Sequence, residues 1–395
     1  MRSTILVFVS LAASALASGL VLASGLPVRP ADAAPTCGSS WSTVPSATGL
    51  TDPRAIAPVA SNDVWIVGGR SDGSVTNATG AEHWDGKRWT LVSTPGSSSG
   101  KTFSQSTFNG ADALRSANVW AVGYALPSGS RARAGYETLT ARWDGTSWKV
   151  VPSPNAGTDT NVLTGIDVLG PDLAYAVGYY AADLVRHSLI LRWNGTSWSV
   201  VPDPNISGSG STLLDVAAVS ADDIWAVGYK TFSNQRAETL VLHYNGTTWQ
   251  QVSAPVQGSG ENVLTSVSAA SANNVWAAGY YIDGSQRKTL TLHYDGITWS
   301  YVPSVNEGQG ASILRDIEVS SESDAWAVGF ENRPSLDNFV RTTQRWDGSS
   351  WSKVPSAISD FATQSEMLSV AKTPGTSQLW AAGPPAFSVV ETICP

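Results

Sequence analysis

Residues 264–308 read LTSVSAASANNVWAAGYYIDGSQRKTLTLHYDGITWSYVPSVNEG. A first apolar run, LTSVSAAS, stops at an Asn-containing turn, and a second, NVWAAGYY, ends on Gly and aromatic residues. After a polar loop comes TLTLHY, whose apolar and polar residues alternate with the period of two of a half-buried strand. Asp-Gly, a dipeptide suited to the positive φ of a tight hairpin, then turns the chain into TWSYVP. The stretch predicts four strands and three connections.

The same order of parts recurs along the chain, with tryptophan marking its register. The second-strand position holds Trp65, Trp120, Tyr175, Trp225, Trp276, Trp326 and Trp380. The fourth-strand position holds Trp89, Trp148, Trp198, Trp249, Trp299 and Trp351, and Trp41 from the N-terminal SSWSTVPS completes a set of seven. With Trp84, Trp143, Trp193 and Trp346 on the third strands, these sets account for all 17 tryptophans. A small four-stranded sheet cannot bury both faces alone, so neighbouring units must stack, and radial closure removes the open ends. The fold expected is therefore all-β: a seven-bladed β-propeller of four-stranded blades.

The last copy stops at Cys394-Pro395 before a fourth strand, and residues 40–46 supply the missing one. Blade 7 is thus expected to be shared between 40–46 and 366–394, an N-terminal strand latching the ring. The only two cysteines, Cys37 and Cys394, sit where Asp-Gly or Asn-Gly joins strands three and four in the other blades. A Cys37–Cys394 disulfide is expected in place of that turn, constraining the unfolded chain by about 4 kcal/mol in the chain-entropy model.

Arg2, the apolar stretch from about residue 5 to 22 and the small-residue site Ala31-Asp32-Ala33 have the layout of a secretory signal. Residues 1–33 are expected to be a signal peptide removed before Ala34, or else a retained anchor, with 34–395 a single propeller domain outside the cytoplasm. No later segment is apolar enough to span a membrane. The formal charge of -8 and the lack of a Lys/Arg run disfavour nucleic acid as a partner.

Residues 63–95, DVWIVGGRSDGSVTNATGAEHWDGKRWTLVSTP, resemble the kelch repeat family, in which a strand ending in Gly-Gly precedes a loop, an aromatic strand and a turn leading to Trp. The resemblance covers about residues 40–394 and implies a bacterial, secreted, kelch-like branch. Most copies depart from the pattern by replacing the second Gly with an aromatic: Tyr124, Tyr179, Tyr229, Tyr280 and Phe330. The family includes a copper oxidase, but His83, His243 and His293 hold one repeat position on different blades and do not converge on a metal.

No nucleophile elbow, zinc motif or phosphate-cradling loop is present, so no catalytic residue and no resident cofactor are expected. Two constellations remain. Asp112, Asp167, Asp215, Asp316 and Glu318 fall on the first strands, which line the central channel of a propeller. There they are expected either to hold a cation such as Ca2+ or to bond backbone N–H groups and face channel water. The loops between strands two and three pair aromatic residues with cations: Tyr124 with Arg131 and Arg133, Tyr180 with Arg186, Lys230 with Arg236, Tyr281 with Arg287, and Phe330 with Arg333. Aromatic and Arg side chains anchor binding surfaces. The function expected is that of a secreted binding or interaction module whose loop face recognises a glycan, a cell-wall component or a protein. The rival is a glycoside hydrolase or lyase using the channel-mouth carboxylates.

Overall fold

The Asp-Gly and Asn-Gly dipeptides form the tight turns between third and fourth strands. Gly86, Gly145, Gly195, Gly246, Gly296 and Gly348 all take φ between 86° and 96°. The preceding Asp or Asn folds its side chain over the turn, as Asp144 does by accepting the amides of Thr146 and Ser147 at 2.9 Å each. A computed structural model of the chain describes residues 39–394, apart from 46–48, 72–77, 97–102, 130–134, 205, 207, 235, 307–309, 334–337, 358–364 and 385–388; the side chains of 333, 338 and 389 are likewise not described. The expected signal segment therefore lies outside the described residues.

The chain forms seven four-stranded antiparallel sheets. Six run in simple sequence order from an inner strand outward, the inner strands being Asp52–Ala60, Phe103–Arg115, Asn161–Gly170, Gly210–Ser220, Asn262–Ser271 and Ser312–Ser321. The seventh takes Ser369–Lys372, Leu379–Gly383 and Val389–Ile393 from the C-terminal end and Ser42–Pro45 from the N-terminal end. Ser42 lies opposite Thr392 and Pro45 opposite Val389 in that closing pair. The structure is thus an all-β propeller of seven blades, latched as the repeat requires.

Cys394 follows the closing pair and is not a free thiol, while Cys37 lies outside the described residues. Denatured but unreduced protein is expected to show no reactive thiol, and reduction to release both while lowering the midpoint of thermal unfolding. Free thiols in the unreduced protein would refute the Cys37–Cys394 bond.

The tryptophan register becomes one contact repeated around the ring. Each fourth-strand Trp packs against the second-strand aromatic of the preceding blade: Trp148 on Trp65 (5.4 Å, 87°), Trp198 on Trp120 (5.3 Å, 86°) and Trp249 on Tyr175 (6.0 Å, 72°). Trp299 on Trp225, Trp351 on Trp276, Trp41 on Trp326 and Trp89 on Trp380 complete the set. The last two pairs join blade 7 to its neighbours with the geometry of the rest. Edge-on indole pairs add about 0.5–1.5 kcal/mol beyond their buried area.

Each inner strand except that of blade 7 carries a bulge, at Arg54, Asn109, Thr164, Leu214, Thr265 and Arg315. Beside the bulge stands the repeat's second-strand glycine. A Cβ on Gly178 would lie 2.0 Å from the Val162 carbonyl oxygen, and one on Gly228 2.0 Å from that of Thr212. Only glycine admits this approach.

One hairpin breaks the local rule. Asp183 and Leu184 both take positive φ (51° and 65°), and the Leu184 side chain is wholly exposed. A leucine in the left-handed region is strained by roughly 1–2 kcal/mol, partly offset in a glycine by its greater unfolded-state entropy. Leu184→Gly is therefore expected to raise stability by about 1 kcal/mol, read as a higher urea midpoint with unchanged slope. A lower midpoint would refute the assignment of strain.

Candidate functional site

The inner strands enclose a channel of about 410 Å³. Ten side-chain interactions on these strands and their approaches bind each blade to the next, because the inner strand is the edge of its sheet and presents N–H and C=O groups with no strand beyond. Asp112 accepts the Val168 amide (2.7 Å), Asp167 that of Ala218 (2.8 Å), Asp215 that of Val267 (3.0 Å) and Asp316 that of Val370 (2.8 Å). Ser268 accepts the Val319 amide at 3.1 Å, and Ser369 that of Ile56 at 3.2 Å. Between blades 1 and 2 Arg54 donates to Asn109 Oδ1 at 2.6 Å, and at the 6–7 junction Arg315 is paired with Glu366 at 3.1 Å. Thr164 and Thr265 donate to the carbonyls of Leu213 and Leu314 at 3.0 and 2.8 Å. A polar side chain therefore spans every one of the seven blade junctions.

The five acids expected in the channel all line it. They occupy two levels, with Asp215 and Asp316 directly after their bulges and Asp112, Asp167 and Glu318 two residues further along. Each faces the lumen on one side and protein on the others. Burial pushes Asp167 up to about 8, with the Asp112 charge adding to it, and Asp215 up to about 7, with the Asp316 charge adding. Glu318 rises to about 8 through burial and the Asp316 charge, against the pull of Lys372; Asp112 and Asp316 are also raised, chiefly by burial.

Hydrogen-bond counting leads to the same conclusion for one pair without reference to any pKa. Ser266 Oγ lies 2.8 Å from Asp215 Oδ2 and 2.6 Å from Asp316 Oδ1, and the Ile317 amide points at it from 3.4 Å. A hydroxyl has one proton to donate. It can satisfy one carboxylate, so the other carboxyl must carry a proton and donate it back. Both carboxyls also accept two amides, Asp215 from Val267 and Val216 and Asp316 from Ile317 and Val370, so the bridge requires one proton shared between the two acids.

Of the two roles expected for the channel acids, bonding to backbone N–H groups is the one seen for Asp112, Asp167, Asp215 and Asp316. Among the described residues no three His, Cys, Asp or Glu side chains are grouped so as to hold a metal ion. The acid oxygens turn into the blade junctions and lie on two levels rather than converging. The histidines are also structural: His83, His243 and His293 lie over Trp65, Trp225 and Trp276 at 4.4, 4.1 and 4.5 Å, and each Nε2 is within 3.0 Å of Asp63, Asp223 or Asn274.

At the loop-face mouth the structure redistributes the expected aromatic–cation pairs by one residue. Arg186 lies over Tyr179 (4.4 Å), not Tyr180, and Arg287 over Tyr280 (5.4 Å), not Tyr281. Tyr180 instead stacks on His187 at 5.1 Å, and Tyr281 meets Tyr301 edge-on and packs on the core of its blade junction. Successive residues on a strand point to opposite faces, so only the first aromatic after the glycine reaches the mouth. Lys230 lies over Phe232 at 5.4 Å, and Arg236 is half-buried. Tyr124 packs on Tyr136 at 4.6 Å. Arg131 and Arg133 lie outside the described residues, as does the side chain of Arg333; the cation over Phe330 is Arg315, at 5.3 Å.

No protein-family model and no curated protein matches the chain. Among solved structures it is similar to YCF48 from Cyanidioschyzon merolae, at 13% identity and a TM-score of 0.56, covering 90% of this chain and 99% of that one. A structure of YCF48 bound to D1 peptide is similar at 12% identity and 0.54, covering 90% and 95%. An ulvanlyase of the polysaccharide lyase family PL25, bound to GlcA(1-4)Rha3S, is similar at 11% identity and 0.55, covering 89% and 95%. At these identities the likeness is one of fold.

Proposed function

We propose that the protein is an exported binding module, kelch-like in its repeat, that presents the loop-face mouth of a rigid ring to a glycan, cell-wall or protein ligand. The observation that carries this reading is the set of Tyr179, Tyr229 and Tyr280 with exposed Arg186 and Arg287, displayed at equivalent positions of neighbouring blades. Rigid display of varied loops gives specificity without disturbing the core. Propellers of similar fold serve both kinds of ligand: one is described with a peptide and another with a saccharide.

The rival reading is a hydrolase or lyase, and the raised carboxyls of Asp167 and Glu318 are what favour it. Against it, four of the five channel acids accept an amide of the next blade, a role that explains their positions without a substrate. The test is an array of glycans, cell-wall polymers and secreted proteins probed with the oxidised protein, with and without Ca2+. Binding that is lost on replacing Tyr229 or Arg287 by alanine supports the loop-face reading. Turnover of an array polymer that stops with Asp167→Asn would establish the rival instead.

A further inference from the structure

The described arginines of this ring differ in what holds them. Arg54, Arg315 and Arg345 are each held by an acid, Asp52 at 2.7 Å, Glu366 at 3.1 Å and Asp324 at 2.9 Å. Arg186 and Arg287 are exposed, and among the described residues neither is paired with a carboxylate. The two occupy the same place in blades 3 and 5, opposite Ala181 and Ile282 in their hairpins, and each guanidinium lies over the aromatic that follows the repeat glycine. Stacking on a ring orients a guanidinium without using its N–H donors, which leaves them for a planar anion apart from the Nη1 of Arg186 that meets Tyr229.

Blade 4 lies between them and contributes Tyr229. Arg186 Nη1 donates to its hydroxyl at 3.2 Å, fixing the phenol. Among the described residues no aromatic ring or cation lies against the Tyr229 ring, unlike Tyr179 and Tyr280. The centre of the group is therefore a held, amphipathic ring, with a charge-seeking guanidinium on the blade to either side.

We propose that Arg186, Tyr229 and Arg287 form a subsite for an anionic glycan, a polymer of sugar rings bearing carboxylate or sulfate groups. This rests on the loop-face binding reading and names its ligand class. A charged sugar uses both features at once, its C–H face against the tyrosine and its anion on an arginine. The side chain of an acidic peptide engages the guanidinium alone. The repeat of the clamp on blades 3 and 5 suits a ligand whose charge also repeats.

The experiment measures binding of the protein to immobilised polygalacturonate and dextran sulfate, with uncharged dextran and poly-L-glutamate as comparisons. Binding to at least one of the two anionic glycans, weakening with salt and absent on dextran, is expected. The double change Arg186→Gln with Arg287→Gln is expected to weaken it by about tenfold or more, and Tyr229→Ala comparably, while Tyr229→Phe, which keeps the ring face, stays within about threefold. Thermal unfolding of each variant checks that the ring is intact, which the exposure of both arginines favours. Failure of both anionic glycans to bind would overturn the proposal, as would binding indifferent to the arginine pair. Poly-L-glutamate binding as tightly as polygalacturonate, with Tyr229→Ala changing neither, would assign the clamp to acidic peptides. Tyr229-dependent binding of a neutral glycan alone would overturn the anionic class and leave the loop-face reading standing.

Discussion

Trp41→Ala is expected to cost about 3–5 kcal/mol of stability, the range for removing a large aromatic from a packed interior. Trp41 is 4% exposed and stands immediately before a closing strand of only four residues, Ser42–Pro45. Its ring meets Trp326 of blade 6 edge-on at 5.6 Å and 89°, within a cluster that includes Met367, Val370, Leu379 and Ile393. The blade 6–7 junction thus depends on a residue that belongs to blade 7 only through the closing strand. In an interior blade the equivalent indole is covalently continuous with its own sheet through an Asp-Gly or Asn-Gly turn. Here the strand is held by its ladder, by the Ser42 hydroxyl on the Thr392 carbonyl and by the expected disulfide.

Two consequences separate this substitution from an ordinary cavity. Amides of 42–44 and 389–393 are expected to lose hydrogen-exchange protection together, before the other blades, because the closing pair opens as a unit. Trp198→Ala, which removes the same edge-on contact from blade 3, is expected to destabilise by a similar amount without exposing one seam selectively. Urea unfolding gives the magnitude and exchange mass spectrometry the location. A loss below about 1 kcal/mol, or uniform deprotection, would show that the seam is held mainly by the disulfide and the backbone ladder.

The blades, their number and their closure were legible because each junction repeats one contact, and large aromatics at a fixed spacing record it. The channel was legible only in part. Position on the inner strand located Asp112, Asp167, Asp215, Asp316 and Glu318, but sequence spacing does not show which way a carboxyl turns. Aligning the inner strands by the residue after the bulge would have given the signal: blade 5 holds Ser266 and Ser268 where blade 6 holds Asp316 and Glu318, so acceptors recur whether or not they are charged. At the mouth the difference between Tyr179 and Tyr180 is one step of a period-two alternation whose phase is set by the strand's place in the sheet. A pairing inferred from loop proximity therefore fell on the neighbouring residue. Leu184 carried no signal, since its backbone conformation is imposed by a two-residue hairpin loop between well-formed strands.

Stability is expected to fall as pH rises from about 5 to about 8, a decline produced by the channel. The unfolded chain loses the protons of these acids near pH 4. In the ring Asp215 holds its proton to about 7, and Asp167 and Glu318 theirs to about 8. Between those limits the folded state binds more protons than the unfolded one, so each retained proton lowers unfolding free energy by about 1.4 kcal/mol per pH unit. Coupling between the acids and water in the lumen reduce the sum, leaving an expected loss on the order of a few kcal/mol. Below about pH 4 the sign reverses. Asp347 is held down to about 2 by Ser349 and Ser350, Asp144 is lowered by Lys149 and its own turn, and Asp85 and Asp295 by theirs, so stability they contribute above the unfolded pKa is lost as they protonate. A maximum near pH 4–5 follows. The Ser266 bridge identifies the pair to test, and Asp215→Asn keeps an oxygen for the Val267 amide and cannot ionise. Urea midpoints of the two proteins at pH 5, 6.5 and 8 should converge at the acid end and separate at the alkaline end, with the variant the more stable. Parallel profiles would mean that Asp215 is already ionised at pH 5 and that the proton of the Ser266 bridge is not on Asp215.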